Sequence, residues 1–140
     1  MNKKVWIGAV VVFVIIAVFG YLIHGMLLTK EYEATAALWR PMNEMMSMMW
    51  IFYVTYAFMA FFITLIFSKG YEGKGLMEGV RYGTYIAMIV ALPGAYSMYG
   101  SMAVPYTLAL KWFLGGWVEF ILCGVALTYV FGKKEATPAT

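Results

Sequence analysis

The sequence contains no aspartate, one cysteine (Cys123) and one histidine (His24), and only 12% of its 140 residues are charged. Each scarcity excludes something. Without aspartate there is no Ser/His/Asp triad, although a glutamate could stand in for the acid. One histidine cannot give a bis-histidine haem site within one chain. One cysteine, set inside an apolar run, forms no internal disulfide and carries no signal of redox compartment. There is no Walker loop, HExxH, CxxC or G-x-S-x-G motif. A soluble domain of this size would be about a quarter charged. The low charge, with 64% hydrophobic residues and mean hydropathy +0.79, points instead to a polytopic helical membrane protein. The net charge of +3 fits lysines facing anionic lipid and gives no reason to expect nucleic acid.

What is present is four apolar runs, at about 5–28, 45–68, 76–100 and 108–131. Each is long enough for a transmembrane helix. Met1-Asn2-Lys3-Lys4 resembles the start of a signal peptide, but the following run is longer than a signal-peptide core, so an uncleaved span is expected. A polar segment, 29–44, follows span one. Trp39 sets part of it at the membrane interface, and a short amphipathic helix over Tyr32–Trp39, stopped by Pro41, is expected. The glycine-rich turn Lys69-Gly70-Tyr71-Glu72-Gly73-Lys74-Gly75 permits a short antiparallel return. Pro93 predicts a kink or break in span three. The tail 133–140 reads as disordered.

These elements predict one all-α transmembrane domain over 1–132, a four-helix bundle running up-down-up-down. Lys3, Lys4, Lys69, Lys74, Arg81, Lys133 and Lys134 fall on one side, against Lys30, Arg40 and Lys111 on the other. The positive-inside rule then places both termini in the cytoplasm.

Glu119 is the leading candidate functional residue, because a carboxyl at mid-bilayer is costly and usually has a use. Counting depth along the spans sets it level with Tyr56 and Pro93. Its stripe carries Trp112, Gly115, Gly116, Cys123 and Ala126, mostly small residues, so it faces inward. Three roles are open to it: a protonated structural group bonded to Tyr56 or to the carbonyl freed by Pro93, proton or ion handling, or a contact with another subunit or ligand. A second layer holds His24, Trp50, Tyr96 and Lys111. His24 could be a single axial ligand to a haem or chlorophyll, half of a site shared in a dimer, or an interfacial residue bonded to Lys30, Glu31 or Glu44. Met42, Met45, Met46, Met48 and Met49 are soft thioethers that would suit Cu(I), but methionine is also an ordinary packing residue at helix interfaces. No cofactor follows from the sequence. Gly79 with Gly83, and Gly116, Phe120 and Gly124, are small-residue rows suited to close helix packing.

Three stretches carry a resemblance: His24-Gly25-Met26-Leu27-Leu28 leading to Ala34-Thr35-Ala36-Ala37-Leu38-Trp39-Arg40-Pro41; Phe67-Ser68-Lys69-Gly70-Tyr71-Glu72-Gly73-Lys74-Gly75 with Glu78-Gly79-Val80-Arg81-Tyr82-Gly83; and Leu108-Ala109-Leu110-Lys111-Trp112-Phe113. Together they resemble small four-span bacterial inner-membrane proteins of the domain-of-unknown-function type. The resemblance implies a bacterial cytoplasmic membrane and an intact four-span unit, with no catalytic residues to carry over. The expectation is a non-enzymatic membrane protein acting by association, with copies of itself or with other membrane subunits. The alternatives are a small transporter or channel using Glu119, and a cofactor or copper site on His24 or the methionines.

Overall fold

Asn2 opens the first helix by accepting the Lys4 backbone N–H at 3.0 Å, the usual way an N-cap satisfies an orphan donor. The computed structural model describes residues 2–132, which leaves the tail expected at 133–140 outside it. Helix α1 (Lys3–Gly20) runs directly into a seven-residue π-helix, Tyr21–Leu27. At its end the Leu28 N–H donates to the Ile23 carbonyl at 2.9 Å. The polar segment then folds as α2 (Thr29–Ala34), a 3-10 turn (Ala36–Leu38) and α3 (Met42–Ser47). Three long helices follow: α4 (Met49–Gly70), α5 (Leu76–Ser101) and α6 (Tyr106–Phe131). No strand occurs among the described residues.

Lys3–Leu27, Met49–Gly70 and Tyr106–Phe131 are each long and apolar enough to cross a bilayer. The fourth long helix, α5, has 26 residues, and at 1.5 Å per residue it is equally long. Its glycines, tyrosines, Glu78 and Arg81 make it less apolar. The methionine-rich start of the second apolar run is not continuous with α4, because Met48 (φ −102°, ψ 3°) leaves the helical conformation and separates α3 from it. The break expected at Pro93 is absent. α5 runs unbroken through the proline, as a long helix supported by neighbours can when one hydrogen bond is lost.

Packing is uneven around the bundle. α5 and α6 form the most extensive pair, and α1 packs on both α4 and α6. The α5–α6 crossing is made by glycine. A Cβ on Gly83 would run into the Phe120 carbonyl, and one on Gly79 into that of Gly124, so the two backbones are in direct contact. At the lysine-rich end the elements are pinned together. Tyr71 donates its hydroxyl to the Gly132 carbonyl at 2.7 Å, and Lys4 Nζ reaches the Phe131 carbonyl at 2.6 Å. The α4–α5 turn passes through Gly73 (φ +83°) and Gly75 (φ +87°), a region that favours glycine. Glu78 fastens it by accepting the Glu72 N–H at 2.5 Å and the Lys74 N–H at 2.7 Å. Near this end α4 and α5 also touch, through the Tyr82 hydroxyl on the Ile63 carbonyl and the Tyr82 ring on Phe67. Otherwise these two consecutive helices have almost no backbone contact.

Candidate functional site: a chamber beneath the polar cap

The missing α4–α5 contact becomes a cavity of about 980 Å³ toward the far end of the bundle. Its apolar walls come from α4 (Phe52, Tyr56), α5 (Val90, Ala91, Gly94, Ala95, Met98) and α6 (Gly116, Phe120). Its polar end is built from the π-helix (His24), the cap (Tyr32, Glu33, Trp39, Arg40) and the start of α6 (Trp112). Small residues create the space. Gly116 abuts Ala91 so closely that a Cβ there would lie 2.8 Å from the alanine Cβ, whereas a Cβ at Gly94 would meet nothing within 4 Å.

The polar end is ordered by one chain of hydrogen bonds. Trp112 Nε1–H donates to the Tyr32 hydroxyl oxygen at 2.7 Å, and Tyr32 lies 2.5 Å from His24 Nδ1. An indole N–H can only donate. Tyr32 therefore accepts from Trp112, and a second bond joins its hydroxyl to Nδ1; the indole, the hydroxyl and the neutral imidazole bring three hydrogens to these two bonds, so one donor is left over. Burial pushes the Tyr32 hydroxyl upward from its ordinary value, so it keeps its proton. Trp39 closes the corner. It packs edge-on against Tyr32 and Trp112 at 5.6 and 6.0 Å, and donates its own N–H to Thr35 Oγ1 at 2.8 Å. The π-helix matters here because its wider turn sets His24 out of α-helical register, and such segments recur at functional sites.

Lys111 forms an ion pair with Glu31 of α2, which ties the cap to α6. The hydrogen bond from Lys111 holds the Glu31 carboxyl below its ordinary range. His24 is thus partnered by Tyr32 rather than by Lys30, Glu31 or Glu44. Tyr56 lines the chamber opposite α1, where a Cβ on Gly20 would sit 3.4 Å from its hydroxyl. Glu119 is half-buried on α6, within electrostatic reach of Tyr56 and Cys123. Its carboxyl makes no hydrogen bond or ion pair among the described residues. It does not line the chamber, although Gly116 and Phe120 on either side of it do. Pro93 is likewise absent from the wall that its neighbours Ala91 and Gly94 form. Of the methionines, Met42 and Met45 reach the chamber, Met46 is 63% exposed, and Met49 begins α4. No group of three or more His, Cys, Asp or Glu side chains suited to a metal occurs among the described residues.

Tyr32, Trp39 and Trp112 are the residues that sequence reasoning did not assign to a site. The available signal was an aromatic pair seven residues apart in a polar segment, which read as interfacial anchoring. No family model, curated protein or solved structure matches the chain.

Proposed function

We propose that this chain is a four-span protein of a bacterial cytoplasmic membrane, with both termini inside, and that it works without catalysis by association. Its partner is a membrane-soluble amphiphile taken sideways from the bilayer into the chamber. The observation that carries this reading is the gap between α4 and α5. The two helices are fastened at the lysine-rich end, and beyond it they leave a cavity of about 980 Å³. Such a cavity, largely apolar with a few convergent polar groups, is the usual form of a small-molecule site. Its apolar length lies at the level of lipid tails, and its hydrogen-bonding end at the level of head groups.

Four crossings are supported by the shared length of α1, α4, α5 and α6 and by the separation of charge. Lys3, Lys4, Lys69, Lys74 and Arg81 belong to one end, and Lys30, Arg40 and Lys111 to the other. Two single cysteines test this topology, since the native Cys123 is only 1% exposed. Asn43→Cys should react with an impermeant maleimide from outside intact cells, and Lys74→Cys only after permeabilisation; the reverse pattern would invert the topology.

Binding is tested by extracting the lipids that copurify with wild type and with Gly94→Trp. Gly94 lines the chamber, and a Cβ there meets nothing within 4 Å. Wild type should carry an amphiphile that the variant lacks, and identical lipid content in both would refute the reading. A second reading, association with a further membrane subunit, is favoured by the same α4–α5 gap if a partner helix fills it; a stoichiometric protein partner in the mild-detergent extract would move the conclusion there.

A further inference from the structure

We infer that the chamber takes an uncharged amphiphile whose head group presents a carbonyl oxygen, the chemistry shared by quinones and diacylglycerols. This rests on the reading of the chamber as a binding site and adds what the head group must be.

The charged side chains lining the chamber are Glu33 and Arg40, one of each sign. Arg40 is further drawn to Glu44, at 3.7 Å. The lining thus carries no net positive charge to favour an anionic phosphate head group, which binds most strongly to cationic donors. The Trp112–Tyr32–His24 chain has three donor hydrogens and two internal bonds. One donor is therefore left over, on His24 Nε2 when the Tyr32 hydroxyl donates to Nδ1 and on that hydroxyl when Nδ1 donates to it, and both residues line the chamber. The leftover donor calls for an acceptor on the ligand, and a carbonyl is the neutral group that supplies one. Tyr32, Trp39 and Trp112 present rings to the polar end, surfaces on which a flat head group can stack and an ester can pack. The tail then leaves past Gly94 through the α4–α5 gap.

The test uses the full-length protein in phosphatidylcholine nanodiscs doped separately with ubiquinone, dioleoylglycerol or phosphatidylglycerol. Native mass spectrometry counts retained molecules, and tryptophan emission is read on the same samples, because quinones quench nearby indoles. Wild type should retain ubiquinone or dioleoylglycerol in preference to phosphatidylglycerol. Retention with quenching identifies the quinone source, and retention without it the glyceride. His24→Phe combined with Tyr32→Phe keeps both rings and removes both groups that can hold the leftover donor, and should lower retention about tenfold, the scale of one hydrogen bond. Wild-type retention by this double variant, or preference for phosphatidylglycerol that Gly94→Trp still abolishes, would overturn the head-group assignment while leaving the binding site intact. If wild type retains none of the three and Gly94→Trp leaves its copurifying lipids unchanged, the binding-site reading fails with it.

Discussion

Tyr32 holds the polar end together because its single hydroxyl serves two partners. Replacing it with phenylalanine removes the acceptor for Trp112 and the hydrogen-bond partner of His24 at once. Leaving a donor such as the Trp112 N–H unpaired costs about 1–3 kcal/mol, so Tyr32→Phe should lower the melting temperature in detergent. His24→Phe leaves the Trp112–Tyr32 bond intact and should shift melting less. Equal effects of the two variants would mean that the chain is not organised around Tyr32. At this scale the sequence was only partly legible. His24 stood out as the sole histidine, and Glu119 as a carboxylate in an apolar run. Which hydroxyl would approach His24 depended on the cap folding back over the bundle, and no local pattern encodes that. Lys111 and Glu31 are 80 residues apart, and only the folded cap brings them together.

Among the elements, α5 and α6 are joined by backbone rather than by side chains, and this was the most readable feature of the chain. Small residues at spacings of four announce close helix approach, and Gly79, Gly83 and Gly124 make it. A Cβ at Gly83 would overlap the Phe120 carbonyl. Gly83→Ala should therefore cost about 1–3 kcal/mol through overpacking. Gly100 lies on the same helix with open space around it, and Gly100→Ala should be neutral or stabilise by up to about 1 kcal/mol through helix propensity. Comparable destabilisation by both, measured by unfolding in mixed micelles, would contradict the backbone-contact account. The π-helix and the unbroken course of α5 through Pro93 were not legible. The first is a change of register within a uniformly apolar run, which periodicity cannot detect. The second depends on support from neighbouring helices, which outweighs the local preference of proline.

For the whole molecule, four long helices fall largely within the four apolar runs, and three of them, Lys3–Leu27, Met49–Gly70 and Tyr106–Phe131, are long and apolar enough to cross a membrane, because length and hydropathy are properties of composition. Their arrangement was less accessible. A tight turn such as Lys69–Gly75 normally implies that the flanking helices pack side by side, and α4 and α5 do so only near that turn. Tyr82 and Phe67 hold them there, while α6 draws α5 away through its glycines and α1 draws α4 to the other side. The chamber is the space left by these two competing pairs, and the cap closes it at one end. The separation of α4 from α5 beyond the lysine-rich end is what makes room for a ligand. It is tested most directly by double electron–electron resonance in nanodiscs, in a Cys123→Ala background, with spin labels at Trp50 and Tyr99 for the cap end and at Ile66 and Leu76 for the lysine end. The expected result is a Trp50–Tyr99 distance well beyond that of helices packed at an interaxial spacing of about 8–10 Å, with the Ile66–Leu76 pair short and narrow. Equally short distances at both ends would mean that α4 and α5 pack along their whole length, leaving no chamber for a ligand to enter.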